Sequence, residues 1–246
     1  MSNKLESMTF PNQIIKTVSL CLLALILFVS SFAIRADANQ ADGYIPTTLI
    51  TGANRGIGFE FAKQYLAKGW RVIATCRKPE AADDLTTLQA EYPDLLIIDK
   101  LDVRDHTQID LLAERYNNTR IDILINNAGG AYPNDPLKTT AKTFNRDFNF
   151  NVTSAFNLTR LCHPYLVQNK GKVINIISAS SRYSQAGFSS YGTAKAALEQ
   201  LTKLLAADFA PAIRVNGISP GTILTEALAQ YLNDEVQEKM TALTPM

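Results

Sequence analysis

Six short apolar runs punctuate this chain, and helical spacing between them constrains its fold more than any other feature. The runs cover 47–51, 71–76, 95–101, 121–126, 172–178 and 213–218. Residues 57–68, 81–90, 107–116, 151–168 and 190–209 carry helical apolar periodicity, the first of them closed by Gly69 as a stop signal. Within each run the apolar residues follow one another instead of alternating with polar ones, so each strand is expected to be buried on both faces. Such strands, separated by helices, build a single-domain, parallel, doubly wound α/β sheet. Sheets of this kind bind ligands beyond the carboxyl ends of their strands, so the residues following each run are where chemistry is expected.

Composition closes off other classes. With 46% hydrophobic residues and a formal net charge of +1, the chain can bury a core and is neither a strongly basic nucleic-acid binder nor a highly charged disordered chain. The three cysteines, Cys21, Cys76 and Cys162, make no disulfide framework, and no Cys/His cluster has metal-ligand spacing, so no metal site is expected. His106 and His163 lack a triad partner nearby in sequence and read as surface or packing residues. Asn117-x-Thr119 and Asn157-x-Thr159 are glycosylation sequons, meaningful only on a eukaryotic secretory route.

Residues 17–34 stand apart. They carry no charge, follow Lys4 and Lys16, and lead through Ala36-Asp37-Ala38 into a polar linker ending at Asp42. As a helix the run would span roughly 27 Å, enough for a bilayer's hydrocarbon core. A buried core helix is the plainer alternative. The terminal position, the apolar character all round and the linker favour a signal peptide or membrane anchor within 1–42, ahead of a domain over 43–246. That reading makes the protein membrane-anchored or exported.

Two constellations follow the runs. Thr51-Gly52-Ala53-Asn54-Arg55-Gly56-Ile57-Gly58 joins the first strand to the first helix. Its glycines permit a tight turn and a close phosphate, while the helix N-terminus offers free N–H groups. An ordinary glycine-rich loop is the bland alternative, and the Gly-x-x-x-Gly-x-Gly spacing is not the commoner dinucleotide pattern. Tyr191 and Lys195 lie at i and i+4 on one helix face. At roughly 4 Å and an effective dielectric near 20, an ammonium stabilises a phenolate by about 4 kcal/mol, which would bring the phenol toward neutrality as a general acid or base. Among nine tyrosines such a pair also arises by chance, and alone it is weak.

Together these patterns resemble the short-chain dehydrogenase/reductase family, whose domain is a Rossmann-type sheet. Beside the glycine turn and Tyr191-x-x-x-Lys195 the chain carries Asn126-Asn127-Ala128-Gly129 after the fourth strand and Asn151 at the start of a long helix. It also carries Ser178 after the fifth strand, and Ser219-Pro220-Gly221 with Thr225 after the sixth. The resemblance runs from about Thr47 to Met246. It implies a catalytic set of Asn151, Ser178, Tyr191 and Lys195: Tyr191 protonates a carbonyl oxygen as hydride arrives, Lys195 lowers the tyrosine and holds the nicotinamide ribose, Ser178 polarises the carbonyl, and Asn151 holds a relay water. It places Gly52, Asn54, Arg55, Gly56, Ile57 and Gly58 at the pyrophosphate, Asp102 and Val103 at the adenine, and Asn127, Ala128 and Gly129 along the adenosine. Pro220, Gly221, Ile223 and Thr225 would border the nicotinamide. Asn126 reads better as a brace within the sheet.

Charge argues the cofactor. A site for NAD wants a carboxylate at the end of the second strand, and here that strand ends Ala74-Thr75-Cys76-Arg77-Lys78. Arg77, with Arg55 in the glycine turn, suits the 2′-phosphate of NADP(H) instead. The alternative is that Arg77 and Lys78 are only a solvated loop. The expected function is NADPH-dependent transfer of hydride between nicotinamide and a small-molecule carbonyl or secondary alcohol. Phe188, Ile223, Leu224 and Leu228 suggest a hydrophobic substrate. A non-catalytic cofactor-binding regulator and an inactive truncated chain are the alternatives. The latter arises because residues 238–246 resemble the family's lead-in to a last helix and strand that this sequence does not contain. The sixth strand's outer edge is then expected to be uncovered unless a partner covers it, and if the C-terminus is complete the chain is expected to be a homo-oligomer.

Overall fold

The computed structural model describes residues 43–223 apart from 131, 132 and 185, together with Glu235 and Ala242. The apolar run 17–34 and its linker, and likewise Leu224, Thr225, Leu228 and nearly all of 238–246, lie outside the described residues. Among the described residues no helix is long and apolar enough to cross a membrane.

The strands are β1 Thr47–Thr51, β2 Arg71–Cys76, β3 Leu96–Lys100, β4 Ile123–Asn126, β5 Lys172–Ile176 and β6 Arg214–Ile218. The helices are α1 Gly56–Ala67, α2 Asp83–Glu91, α3 His106–Arg115, α4 Ala141–Phe148, α5 Ser154–Val167 and α6 Ser189–Phe209. The strands form one parallel sheet in the order β3-β2-β1-β4-β5-β6, with Leu49 opposite Ile73 on one side and Leu124 on the other. The chain therefore winds outward from β1, returns to its other side at β4, and leaves a crevice between the carboxyl ends of these two strands.

Continuous apolar runs are what a sheet covered on both faces requires. Leu49 and Leu124 enter one core with Ile109, Leu112, Leu158 and Cys162, while their neighbours Ile50 and Ile125 enter the other with Ala62, Leu66 and Leu85. Successive strand residues point to opposite faces, so one run feeds both cores. Burying each such Leu or Ile side chain stabilises the fold by about 1.5–3 kcal/mol. Cys76 and Cys162 are free and buried. His163 packs against the Phe209 ring at 4.5 Å between centroids, a packing residue as its sequence context implied.

The long helix expected from Asn151 to Gln168 is different in the structure. Helix α4, unexpected from its polar sequence, runs into a π-helical turn at Asn149–Thr153 and then into α5. Asn151 sits inside that widened turn, not at a helix start, and widened turns of this kind often mark functional sites. Strand β5 stops at Ile176, so Ser178 caps a short turn, Ala179–Ser181, instead of ending the strand. Among the described residues β6 is one edge of the sheet, β3 the other, and β6 is exposed at four of its five positions.

Candidate active site

The glycine turn fits its sequence. Gly52 and Gly56 have φ of +65° and +56°, conformations that side-chain-bearing residues rarely adopt. A Cβ at Gly58 would collide with the Gly52 carbonyl oxygen and the Asn127 amide. Helix α1 starts at Gly56 with Arg55 extended before it and no side chain capping its first N–H groups, which leaves them available to an anion. Asn127 is the brace of this turn: its Nδ2 donates to the Thr51 and Gly52 carbonyls at 2.9 and 3.0 Å. Thr51 Oγ1 accepts from the backbone N–H of Asn127 and of Ala128, at 3.0 and 2.9 Å. The ends of β1 and β4 are thereby locked together beside the crevice.

Asn126 is the sheet brace expected of it. Its Nδ2 donates to Thr159 Oγ1 and Asn175 Oδ1, Asn175 donates to Thr202 Oγ1 at 2.9 Å, and Thr202 returns to the Leu198 carbonyl. This buried chain ties β4, β5, α5 and α6 together. A buried polar group left unpaired costs about 1–3 kcal/mol, so the members depend on one another.

Four groups meet beyond the carboxyl ends of β4 and β5. Tyr191 lies beside Ser178, near enough for that hydroxyl to lower the phenol, and Lys195 Nζ donates to the Ile176 carbonyl at 2.8 Å. Asn151 grips Gly130 with both ends of its amide: Oδ1 accepts from the Gly130 N–H and Nδ2 donates to the Gly130 carbonyl, each at 2.9 Å. Gly129 separates Asn151 from Lys195. A Cβ there would stand 2.8 Å from Asn151 Oδ1 and 3.1 Å from Lys195 Nζ. Phe188 lies edge-on to Tyr191, 6.1 Å between ring centroids.

The electrostatics correct one expectation. Lys195 was to draw the Tyr191 phenol toward neutrality, yet burial pushes that phenol up and the neighbouring Ser178 lowers it only in part. Lys195 Nζ lies 5.7 Å from the Tyr191 ring centroid, and burial pulls its own ammonium down to about 8. Desolvation is the leading cause for both groups, since both are taken from water together.

The remaining expected residues are spread around this centre. Arg55 and Arg77 are exposed, and the Asp102 carboxyl is held below the usual range, with Arg77 the smallest of its causes. The larger cause is Arg104, whose Nε and Nη2 lie 2.9 and 2.6 Å from the Asp102 carboxylate. Val103 buries its side chain in the core, Asn54 and Ile57 are half-buried in the turn, and Ala128 packs on Gly52. The Pro220 carbonyl accepts from the Ala179 N–H at 2.8 Å, which draws the segment after β6 to the Ser178 turn, with Gly221 and Ile223 exposed beyond it.

Two carboxylates at the site escaped the sequence reading. Asp147 on α4 accepts from Ser190, next to Tyr191. Glu199 accepts from Ser181 at 2.6 Å and from Arg182 Nη2 at 2.7 Å, joining the Ser178 turn to α6. Glu199, one turn beyond Lys195, was findable from helix periodicity; Asp147 lies in a polar stretch with no such signal.

Comparison with known proteins gives the same answer from another direction. The family model described as short chain dehydrogenase matches residues 46–236. An uncharacterized oxidoreductase of Mycobacterium tuberculosis is 36% identical over 212 residues, covering 80% of this chain and 77% of that one. Among solved structures, a 7α-hydroxysteroid dehydrogenase complexed with NADH and 7-oxo glycochenodeoxycholic acid matches with TM-score 0.74 at 32% identity, covering 81% of this chain and 80% of that one. The closed form of serine dehydrogenase complexed with NADP+ matches with TM-score 0.69 at 30% identity, covering 81% and 82%. A parallel sheet switching direction at a glycine turn, and a tyrosine and lysine one helical turn apart beside it, belong with this match: the chain is a member of the short-chain dehydrogenase/reductase family, a nicotinamide-dependent oxidoreductase.

Proposed function

We propose that this protein is an NADPH-dependent reductase of a carbonyl compound, or the reverse dehydrogenase of its alcohol, with Tyr191 as the proton-transferring group. The observation that carries this reading is the meeting of Tyr191, Ser178, Lys195 and Asn151 at the strand ends beside the glycine turn. The turn fits a dinucleotide, since Gly52, Gly56 and Gly58 leave backbone room and the first N–H groups of α1 are uncapped. Gly52 to Gly58 would hold its pyrophosphate, and Asp102, Val103 and the Asn127–Gly129 strip its adenosine. Pro220, Gly221, Ile223 and Thr225 would border its nicotinamide. Bound there, the nicotinamide supplies or accepts hydride.

The chain's own groups handle the proton. Ser178 and Tyr191, side by side, present two hydroxyls that a substrate oxygen can bridge, so the ketone is polarised where negative charge develops. A phenol kept protonated by burial is a proton donor in the reducing direction. Lys195 is fixed by the Ile176 carbonyl, and Asn151 holds the Gly130 backbone next to the Gly129 that separates them, which keeps the ammonium in place to restore the proton. NADPH is favoured over NADH because Arg55 and Arg77 flank the turn where no carboxylate ends β2. The two structural relatives, bound to NADP+ and to NADH, make this a property to be tested on this chain.

The test is NADPH oxidation over a panel of apolar aldehydes and ketones, wild type against Tyr191→Phe. The variant is expected to lose turnover, by a factor of at least about 100 to 10,000, with nucleotide affinity nearly unchanged. A Tyr191→Phe protein that keeps the wild-type rate would overturn the assignment.

A further inference from the structure

Asp147 is the most deeply buried carboxylate near the site, 3% exposed, and none of the roles above uses it. It lies in the last turn of α4, just before the π-helical turn that carries Asn151. Its Oδ2 accepts from the hydroxyl of Ser190, also 3% exposed, at 2.8 Å. Its Oδ1 accepts from Arg146 Nη2 and Nε at 3.0 and 3.1 Å, and its main-chain carbonyl accepts from Asn151 Nδ2 at 2.9 Å. One residue thus touches the amide of Asn151 and the residue that precedes Tyr191.

Stability alone does not explain this placement. Arg146 is 59% exposed, so its attraction is screened by water, whereas the carboxylate has given up its hydration. Replacing a buried ion pair by well-packed apolar residues is often neutral or stabilising, so the pair is weak evidence of a stability role. What the carboxylate does add is a fixed point for α6. That helix has no acidic residue in its first turn and no side-chain cap, and Tyr191 sits in that turn. Its first turn is held in register by a hydrogen bond from another element, through Ser190.

We infer that Asp147 is a positioning residue: through Ser190 it fixes the first turn of α6 and so the Tyr191 hydroxyl against Ser178, while its carbonyl holds Asn151 in the same frame. The inference rests on the oxidoreductase reading above. Near-attack geometry is sensitive, and a displacement of about 1 Å costs on the order of a hundredfold in rate.

The test uses the full chain with Ser190→Ala, Asp147→Ala, the double variant and Asp147→Asn, reading three quantities. These are amide hydrogen exchange at the start of α6, the NADPH dissociation constant, and kcat against KM for benzaldehyde and cyclohexanone. Ser190→Ala and Asp147→Ala are expected to speed exchange in that turn and lower kcat by roughly ten- to hundredfold, with nucleotide affinity unchanged. The double variant should be no slower than the slower single one, because both remove one contact. Asp147→Asn keeps an acceptor for Ser190 and should recover most of the rate. Should Asp147→Ala fail to fold, Ser190→Ala, which removes only a hydroxyl, decides alone. Unchanged exchange and kcat in Ser190→Ala would overturn the positioning role and leave the oxidoreductase reading intact. A wild type that binds NADPH and reduces neither probe overturns the role assigned to Tyr191 and this inference with it.

Discussion

At the scale of single residues, Lys195 is where the site works against the fold. Burial pulls its ammonium from 10.5 down to about 8, so at neutral pH the lysine is charged in both states and the folded protein bears the desolvation cost. Between about 8 and 10.5 the folded chain releases this proton while the unfolded chain keeps it, and stability rises with pH across that window. A shift of that size corresponds to roughly 3 kcal/mol. Lys195→Met is therefore expected to abolish turnover, and its stability relative to wild type should decline by up to roughly 3 kcal/mol from neutral pH to above 10.5. Urea melts of the two proteins at each pH measure it; a difference that does not change with pH would show that Lys195 keeps an ordinary pKa. Helical spacing in the sequence was enough to pair Lys195 with Tyr191. The balance between them was not, because it is set by how much water each group loses, and burial is a property of the packed chain.

Among elements, the strands were legible and the connection that holds Asn151 was not. Runs such as 47–51 and 121–126 announce themselves because a doubly covered sheet leaves no polar face. Helix α4 has the sequence Ala-Lys-Thr-Phe-Asn-Arg-Asp-Phe, and its buried residue is Asp147, so no apolar stripe marks it. The one local cue is Thr140, whose Oγ1 caps the helix by accepting from the Thr143 N–H. Glu199 shows how two elements are joined by a group the reading passed over. Bonds from Arg182, Ser181 and Lys203 hold its carboxyl down at about 2, against an ordinary 4.5. A depressed carboxyl contributes stability above its unfolded value and loses it as pH falls through the folded one. Glu199→Gln is thus expected to flatten acid unfolding between about 4.5 and 2, and to loosen the Ser178 turn from α6 at neutral pH. Acid titration followed by circular dichroism checks the first; a wild-type acid profile in the variant would exclude Glu199 as the clamp.

For the molecule as a whole, a formal net charge of +1 supplies little long-range attraction for a cofactor bearing several phosphates. Any preference for NADPH must then be local, and the candidates are the exposed Arg55 and Arg77 at the rim of the glycine turn. Arg77 already feels the Asp102 carboxylate, which is itself occupied by Arg104, so the proposed adenosine end would be a balanced cluster to which a 2′-phosphate adds charge the arginines can meet. A nucleotide at 100 times its dissociation constant stabilises a fold by about 2.7 kcal/mol, a rise of roughly 5–10 °C in melting temperature for a chain of this size. NADPH is expected to raise Tm more than NADH at equal concentration, and the gap should shrink with added salt, as exposed charges are screened within about 10 Å. The Arg55→Ala, Arg77→Ala double variant should bring the two nucleotides to the same shift while both still stabilise the protein through the glycine turn. A larger shift with NADH in the wild type would assign the arginines to solvent and the cofactor to NAD. A gap that survives the double variant would place 2′-phosphate recognition elsewhere in the site.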